Sequence, residues 1–232
     1  MPARRAPVRK ISRRKKRTNT SRSMVSRATK QYVRRVMPKV EMKETWVHIN
    51  ENQLNTLTQG YLVTFPTIAP GSAIEQRIGQ SLIARGFHMK GTLYNNSTQE
   101  SFVRQVIIGF SPTVDPIANF FRGTATNVSS AVSSINGLDA MYYPINKTEL
   151  KVYHDKVYRL AGSVSGSAGA NTKMFSRFLK LGGKKIMFKG TDAVPDNWTY
   201  AVIHIASDAN DDTSTGTTVE LSSLNRFYYN DS

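Results

Sequence analysis

From Glu41 onward, short runs of alternating apolar and polar residues follow one another along the chain. They are rich in Thr, Val, Ile, Tyr and Phe and are separated by Gly, Pro, Asn, Asp and Ser, which is the pattern of strands rather than of helices. Eight runs are predicted as strands: Met42–Asn50, Ser81–Asn95, Phe102–Phe110, Glu149–Leu160, Thr172–Leu181, Lys184–Gly190, Trp198–Ser207 and Thr218–Tyr229. A shorter run, Tyr61–Phe65, is either a ninth strand or part of a loop. Ser81–Asn95 places Ile83, Phe87, Met89 and Leu93 on one face and His88, Lys90 and Thr92 on the other. Glu149–Leu160 places Leu150, Val152, Tyr158 and Leu160 on one parity. Phe102–Phe110 and Trp198–Ser207 are apolar almost throughout, and Gly182-Gly183 between two runs is a hairpin signal.

Two connections are long. Ser111–Lys147 contains Asp115-Pro116, which suits a helix cap followed by proline at the first helical position. One or two turns over Ile117–Arg122 are expected to follow, with a weaker signal over Val128–Ile135. Ala161–Asn171 is Gly-, Ser- and Ala-rich, the composition of a flexible linker. Eight antiparallel strands in the residues after the arm suit a single two-sheet jelly roll, so the expected fold class is all-β.

Charge divides the chain sharply. Of 32 Lys and Arg, 15 lie in residues 1–40, and none of the 16 Asp and Glu does; 17 basic and 16 acidic residues remain for 41–232. The chain is therefore expected to comprise a basic arm, 1–40, and a nearly neutral body, 41–232. Residues 1–22 are too polar and too charged to offset the entropy of ordering, so the arm is expected to be disordered by itself. In residues 23–36, Val25, Ala28, Tyr32 and Val36 share a helical face; a short helix and continued disorder both remain open.

The arm has the make-up of a phosphate binder. Arg4, Arg5, Arg9, Lys10, Arg13, Arg14, Lys15, Lys16, Arg17, Arg22, Arg27, Lys30, Arg34 and Arg35 are its candidate nucleic-acid contacts. The block Arg13–Arg17 also fits a nuclear localisation signal read by host import receptors. Tyr32 is the arm's only aromatic residue, so base stacking has little part there. No run approaches the roughly 18 apolar residues of a membrane span. The N-terminus lacks the apolar core of a signal peptide, and its density of adjacent cations is unlike a transit peptide. No membrane partner is expected.

Catalytic chemistry is hard to find. There is no cysteine, hence no disulfide framework and no thiolate metal site. His48, His88, His154 and His204 all fall in predicted strands and lack metal-motif spacing. His154 and Asp155 are adjacent in a strand and so point to opposite faces, which rules out a dyad. The Gly162–Gly169 loop is not followed by the Lys-Ser/Thr of a phosphate loop, and neither is Gly182-Gly183. Asp208, Asn210, Asp211 and Asp212 lack the spacing of a calcium loop. The Asn-x-Ser/Thr triplets at Asn127, Asn146 and Asn197 read as chance matches. No catalytic residue, metal or cofactor is therefore assigned, and the chain is read as a non-enzyme.

Local sequence narrows the class. Gln76-Arg77-Ile78-Gly79-Gln80, followed by an extended run with Lys90-Gly91 inside it, resembles a segment of capsid proteins of circular, Rep-encoding single-stranded DNA (CRESS-DNA) viruses. So do Phe178-Leu179-Lys180-Leu181 before Lys184-Lys185-Ile186, and the stretch Tyr153–Tyr158. The resemblance implies a viral-capsid-type jelly roll with sheets in strand order BIDG and CHEF. The eight runs would be strands B to I, with Ser111–Lys147 as the D–E loop and Ala161–Asn171 as the E–F loop. It also implies a self-assembling icosahedral shell found in the virion and the host nucleus. A homo-oligomer of about 60 subunits would bring on the order of 900 arm charges onto single-stranded DNA. The arm lacks the near-continuous arginine tract of circoviruses, a departure that leaves the genus open but not the class. Two other readings share the arm: an RNA-virus coat protein of the same fold, and a non-assembling ribosomal or chromatin-type binder. With the body near charge balance, neither sheet face is expected to carry a long basic stripe.

Overall fold

The structure is a computed structural model; it describes residues 41–54, 61–73, 75–122, 129–130, 138–163, 171–208 and 219–232. The strands are β1 (Lys43–Leu54), β2 (Tyr61–Phe65), β3 (Ser81–Asn95), β4 (Ser101–Phe110), β5 (Phe121–Arg122), β6 (Ser129–Ser130), β7 (Lys151–Leu160), β8 (Thr172–Met187), β9 (Thr199–Asp208) and β10 (Val219–Asp231). A single-turn helix, α1 (Asp139–Tyr142), precedes β7. All of these fall in one compact unit, Val40–Ser232.

Two four-stranded antiparallel sheets carry the fold, in the orders β1-β10-β3-β8 and β2-β9-β4-β7. Lettered B to I along the chain with β5 and β6 left out, these orders read BIDG and CHEF. The protein is therefore an eight-stranded antiparallel jelly roll, as expected. The lettering shifts, because Tyr61–Phe65 is strand C and pairs with β9 from Tyr61↔His204 to Phe65↔Tyr200. The long 111–147 connection is thus E–F, not D–E, and 161–171 is F–G.

The count stays at eight because Gly182-Gly183 is not a hairpin. β8 runs through it, with Lys180 opposite Gly86 and Lys184 opposite Ala84. Leu181, Gly182 and Gly183 therefore bulge out against Arg85 alone. Both glycines take positive φ, 72° and 77°, which absorbs the extra residues without reversing the chain.

Bulges also break the expected parities. The shift at Arg85 turns Leu82 and Ala84 into the core and leaves Ile83 half-buried. Phe87, Met89 and Leu93 are buried as predicted. A register shift in β7, where Ile107 faces His154 but Ile108 faces Val152, sends the two ends of that strand to opposite sides. Tyr158 and Leu160 enter the core between the sheets, whereas Leu150 and Val152 pack on the outer side of CHEF.

That outer side is the second core. Val106, Ile108, Ala201 and Ile203 of β4 and β9 are covered by Phe120, Phe121, Met141 and Ile145 of the E–F connection. Both faces of β4 and β9 are thus buried, which is why their sequences are mostly apolar and do not alternate. Each such side chain contributes roughly 2 kcal/mol of burial. Arg104, buried in β4, pins the covering layer. Its Nη1 donates to the carbonyls of Ala140 (2.9 Å) and Tyr143 (2.7 Å). Its Nε and Nη2 fork onto Asp155 at 2.9 and 2.7 Å.

Within this connection Asp115 caps a single turn, its Oδ1 accepting from Ile117 and Ala118 N–H. The chain then enters β5 instead of continuing as helix over Ile117–Arg122, because Phe120 and Phe121 are drawn onto the sheet. Ser129–Ser130 pairs with β5, so the described part of Val128–Ile135 is strand, not helix.

Candidate nucleic-acid interface

The basic residues assigned to phosphate, from Arg4 to Arg35 and including Arg13–Arg17, lie outside the described residues. So do the 23–36 segment, most of the Gly162–Gly169 loop, Asn127, and Asn210, Asp211 and Asp212. The chain enters the body at a fixed point. Asn230 Nδ2 donates to the Glu41 carbonyl at 2.6 Å, and buried Lys43 pairs with Asp231 at 2.9 Å and donates to the Gln76 carbonyl. Lys43 thus starts β1, the edge strand of BIDG, with Glu41 held just before it.

Arg77, from the segment that carries the family resemblance, is not a ligand group. It is 1% exposed, and its guanidinium lies 4.4 Å from the Phe188 ring centroid. Nη2 donates to the carbonyls of Gly190 and Asp192, and Nη1 to that of Gly79. It ties the C–D loop to the G–H loop.

With CHEF covered, BIDG presents the open sheet face. Alternation in β10 buries Leu221, Asn225, Phe227 and Tyr229 and turns Ser222, Leu224, Arg226 and Tyr228 outward. Register then assembles rows across the sheet. One runs Trp46, Arg226, His88, Phe178; the next runs Glu44, Tyr228, Gly86, Lys180. Beside them lie His48, Leu224, Lys90 and Ser176. Trp46 is 51% and Phe178 53% exposed.

Phe178 lies over Gly86; a Cβ there would come within 2.6 Å of its ring. The Phe178 and Tyr228 centroids are 6.1 Å apart, and His88 lies 6.3 Å from Phe178. The result is a band of aromatic faces flanked by Lys90, Lys180 and Arg226. Glu44, 3.9 Å from Arg226, and Glu220 sit on the same face, so its charge is mixed and not a basic stripe. Exposed rings beside cations are the parts from which single-strand binding surfaces are made.

Sequence reasoning missed this band. Aromatic residues in strands usually signal core, and only register shows that Trp46, Phe178 and Tyr228 share the open side. The signal present was the even-numbered series Glu44, Trp46, His48, alternating with residues of β1 that do not share that face.

The four histidines stand apart in four strands: His48 in β1, His88 in β3, His154 in β7 and His204 in β9. Among the described residues no group of three or more His, Asp or Glu could hold a metal ion. Asp155 faces the outer side of CHEF, on Arg104, while His154 faces the gap between the sheets, so the two are separated as expected. Burial, then Arg177 and Lys156, lowers the His154 pKa, against a smaller opposing effect of Asp155.

His204 is fully buried, and burial holds its pKa down at about 3. Tyr158 hydroxyl donates to Gln105 Oε1, so the Gln105 amide nitrogen donates to His204 Nε2, 2.8 Å away, and the ring proton sits on Nδ1. Asn146 is also buried; its Oδ1 accepts from Thr148 N–H, a structural turn. No helix among the described residues is long and apolar enough to cross a membrane.

No family model matches the chain, and no curated protein matches it. Solved structures do. A chain of Desmodium yellow mottle tymovirus is similar over 84% of this chain and 88% of its own, at 12% identity and a TM-score of 0.34. VP2 of the infectious bursal disease virus subviral particle is similar over 81% of this chain at 9% identity and a TM-score of 0.32; the match spans 32% of that chain. VP1 of Trichodysplasia spinulosa-associated polyomavirus, solved with GM1 oligosaccharide, is similar over 82% of this chain and 94% of its own, at 8% identity and a TM-score of 0.20.

Proposed function

We propose that this chain is the capsid subunit of a CRESS-DNA virus. It assembles into a small icosahedral shell of about 60 copies and holds single-stranded DNA through its arm, residues 1–40. Arg13–Arg17 carry the protein into the host nucleus before assembly. No catalytic step is assigned to it.

One observation carries the reading: a BIDG–CHEF jelly roll with one sheet face sealed and the other open follows directly, in the chain, on an arm of 15 cations and no acids. An arm of this kind neutralises phosphates and releases counterions without reading sequence. A nearly neutral body lets copies pack without strong mutual repulsion, and gathering many arms into one cavity makes weak contacts collectively strong. The aromatic band on the open face supplies the stacking that the arm, with Tyr32 alone, lacks.

Electron microscopy of the expressed protein, with sequencing of nuclease-resistant nucleic acid, tests the reading. Closed particles enclosing single-stranded DNA are expected. Persistent 25.9 kDa monomers after nuclease treatment would identify a non-assembling binder, and enclosed RNA would identify a coat protein of an RNA virus.

A further inference from the structure

At the side of the jelly roll where β7 and β8 form the outer edges of the two sheets, a groove of about 320 Å³ opens between them. Lys156 and His154 line it from β7, and Lys173 and Arg177 from β8. No carboxylate lines it; the neighbouring Asp155 is turned away and held by both arms of the Arg104 fork. Among the described residues Lys173 and Arg177 have no ion-pair partner. Lys156 has only the Tyr158 ring, 4.8 Å from its Nζ. The Nε2 of His154 is buried and has no hydrogen-bond partner among the described residues. Three exposed cations thus border one groove whose lining supplies no counter-charge, with His154 beneath them.

We propose that this groove holds a backbone phosphate of single-stranded nucleic acid, with Arg177, Lys173 and Lys156 as its cationic ligands and His154 at its floor. The proposal rests on the packaging function above and gives the body its own phosphate contact beside the arm. A guanidinium beside two ammonium groups suits a phosphate oxygen pair.

The position favours a nucleic acid over a sulfated glycan. On β8, Lys173 and Arg177 line the groove together with Met174 and Ser176 between them, while Phe178, next to Arg177, belongs to the open face with its aromatic band. A single strand crossing the β8 edge therefore meets cations for its phosphates and rings for its bases one residue apart. The field of the groove is already felt by its own members: after burial, the positive charge of Arg177 is the next influence on both His154 and Tyr158.

Lysine acylation read by mass spectrometry on the full chain tests the assignment. The chain is titrated separately with a short oligodeoxynucleotide, with inorganic phosphate and with a sulfated oligosaccharide of matched charge. The oligonucleotide is expected to slow acylation of Lys156 and Lys173 at least threefold, with Lys189 as the internal reference. Arg177→Gln should abolish that protection, Arg177→Lys should restore part of it, and arm residues Lys10 and Lys15 should stay protected in both variants. Protection by inorganic phosphate but not by the oligonucleotide, stronger protection by the sulfated oligosaccharide, or protection unchanged in Arg177→Gln overturns the proposal. Arm lysines protected beside unprotected groove lysines overturn it and leave the packaging function standing; loss of protection at both sets overturns both.

Discussion

A buried histidine, His204, makes this fold sensitive to acid. His204 stays neutral when folded down to about pH 3, against an ordinary value of 6.5, because burial disfavours its charged form. Below pH 6.5 the unfolded chain binds a proton that the folded chain does not. The stability this group contributes is therefore complete above pH 6.5 and is lost as pH falls toward 3, by about 1.4 kcal/mol per pH unit. His204→Gln, which keeps a partner for Gln105, should lose less stability than the parent between pH 7 and pH 4.5 in urea titrations. Equal losses in the two proteins would show that other groups set the acid limit. The sequence placed His204 correctly in a strand, yet gave no sign that it is enclosed on all sides, since that depends on Tyr158 and Gln105 arriving from β7 and β4.

Elements were legible where their pattern is local and obscure where a bulge intervenes. β10 alternates without a break in its central part, so its strand is legible from sequence. Gly-Gly is a strong local turn signal that divides β8 on sequence alone, and only the continuing ladder with β3 shows that the chain does not reverse. A Cβ at Gly182 would meet nothing within 4 Å, so its conformation alone matters, at φ 72°. Gly182→Val should cost about 1–2 kcal/mol through left-handed backbone strain, and Gly182→Asn clearly less, because asparagine tolerates that region. Chemical denaturation measures both; equal costs would argue against strain as the cause.

The aromatic band is likewise a property of paired strands. Replacing Trp46, Tyr228 or Phe178 by Ala should weaken oligonucleotide binding by about 1–3 kcal/mol for each stacked base, with little change in salt dependence. Fluorescence anisotropy at several salt concentrations separates this loss of stacking from a loss of phosphate contacts. A change confined to the salt slope would contradict it.

For the whole molecule, the charge boundary at Glu41 predicts how affinity divides. With 15 arm cations engaged, the logarithm of the single-strand affinity should fall with log salt at a slope near −10. Deleting residues 1–40 should leave a folded body whose slope is about −2, the share of the β7–β8 groove. A truncated protein that kept the steep slope would place the phosphate contacts on the body and undo the division of labour proposed here.

The sequence by itself determined the all-β class, the place of most strands and the separation of a basic arm from a neutral body. These follow from composition and from period-2 alternation, which are local properties of the chain. The count of eight matched only because one strand, read as two, offset Tyr61–Phe65, which the pattern leaves open as strand or loop. Tertiary structure decided which Phe, Tyr and Trp side chains are core and which form an open face. It also decided that the E–F connection seals CHEF, and that Lys156, Lys173 and Arg177 share one groove. Those outcomes depend on register and sheet order: a shift of one residue turns a side chain to the other face, and residues far apart in sequence become neighbours only when their strands pair or their sheets pack.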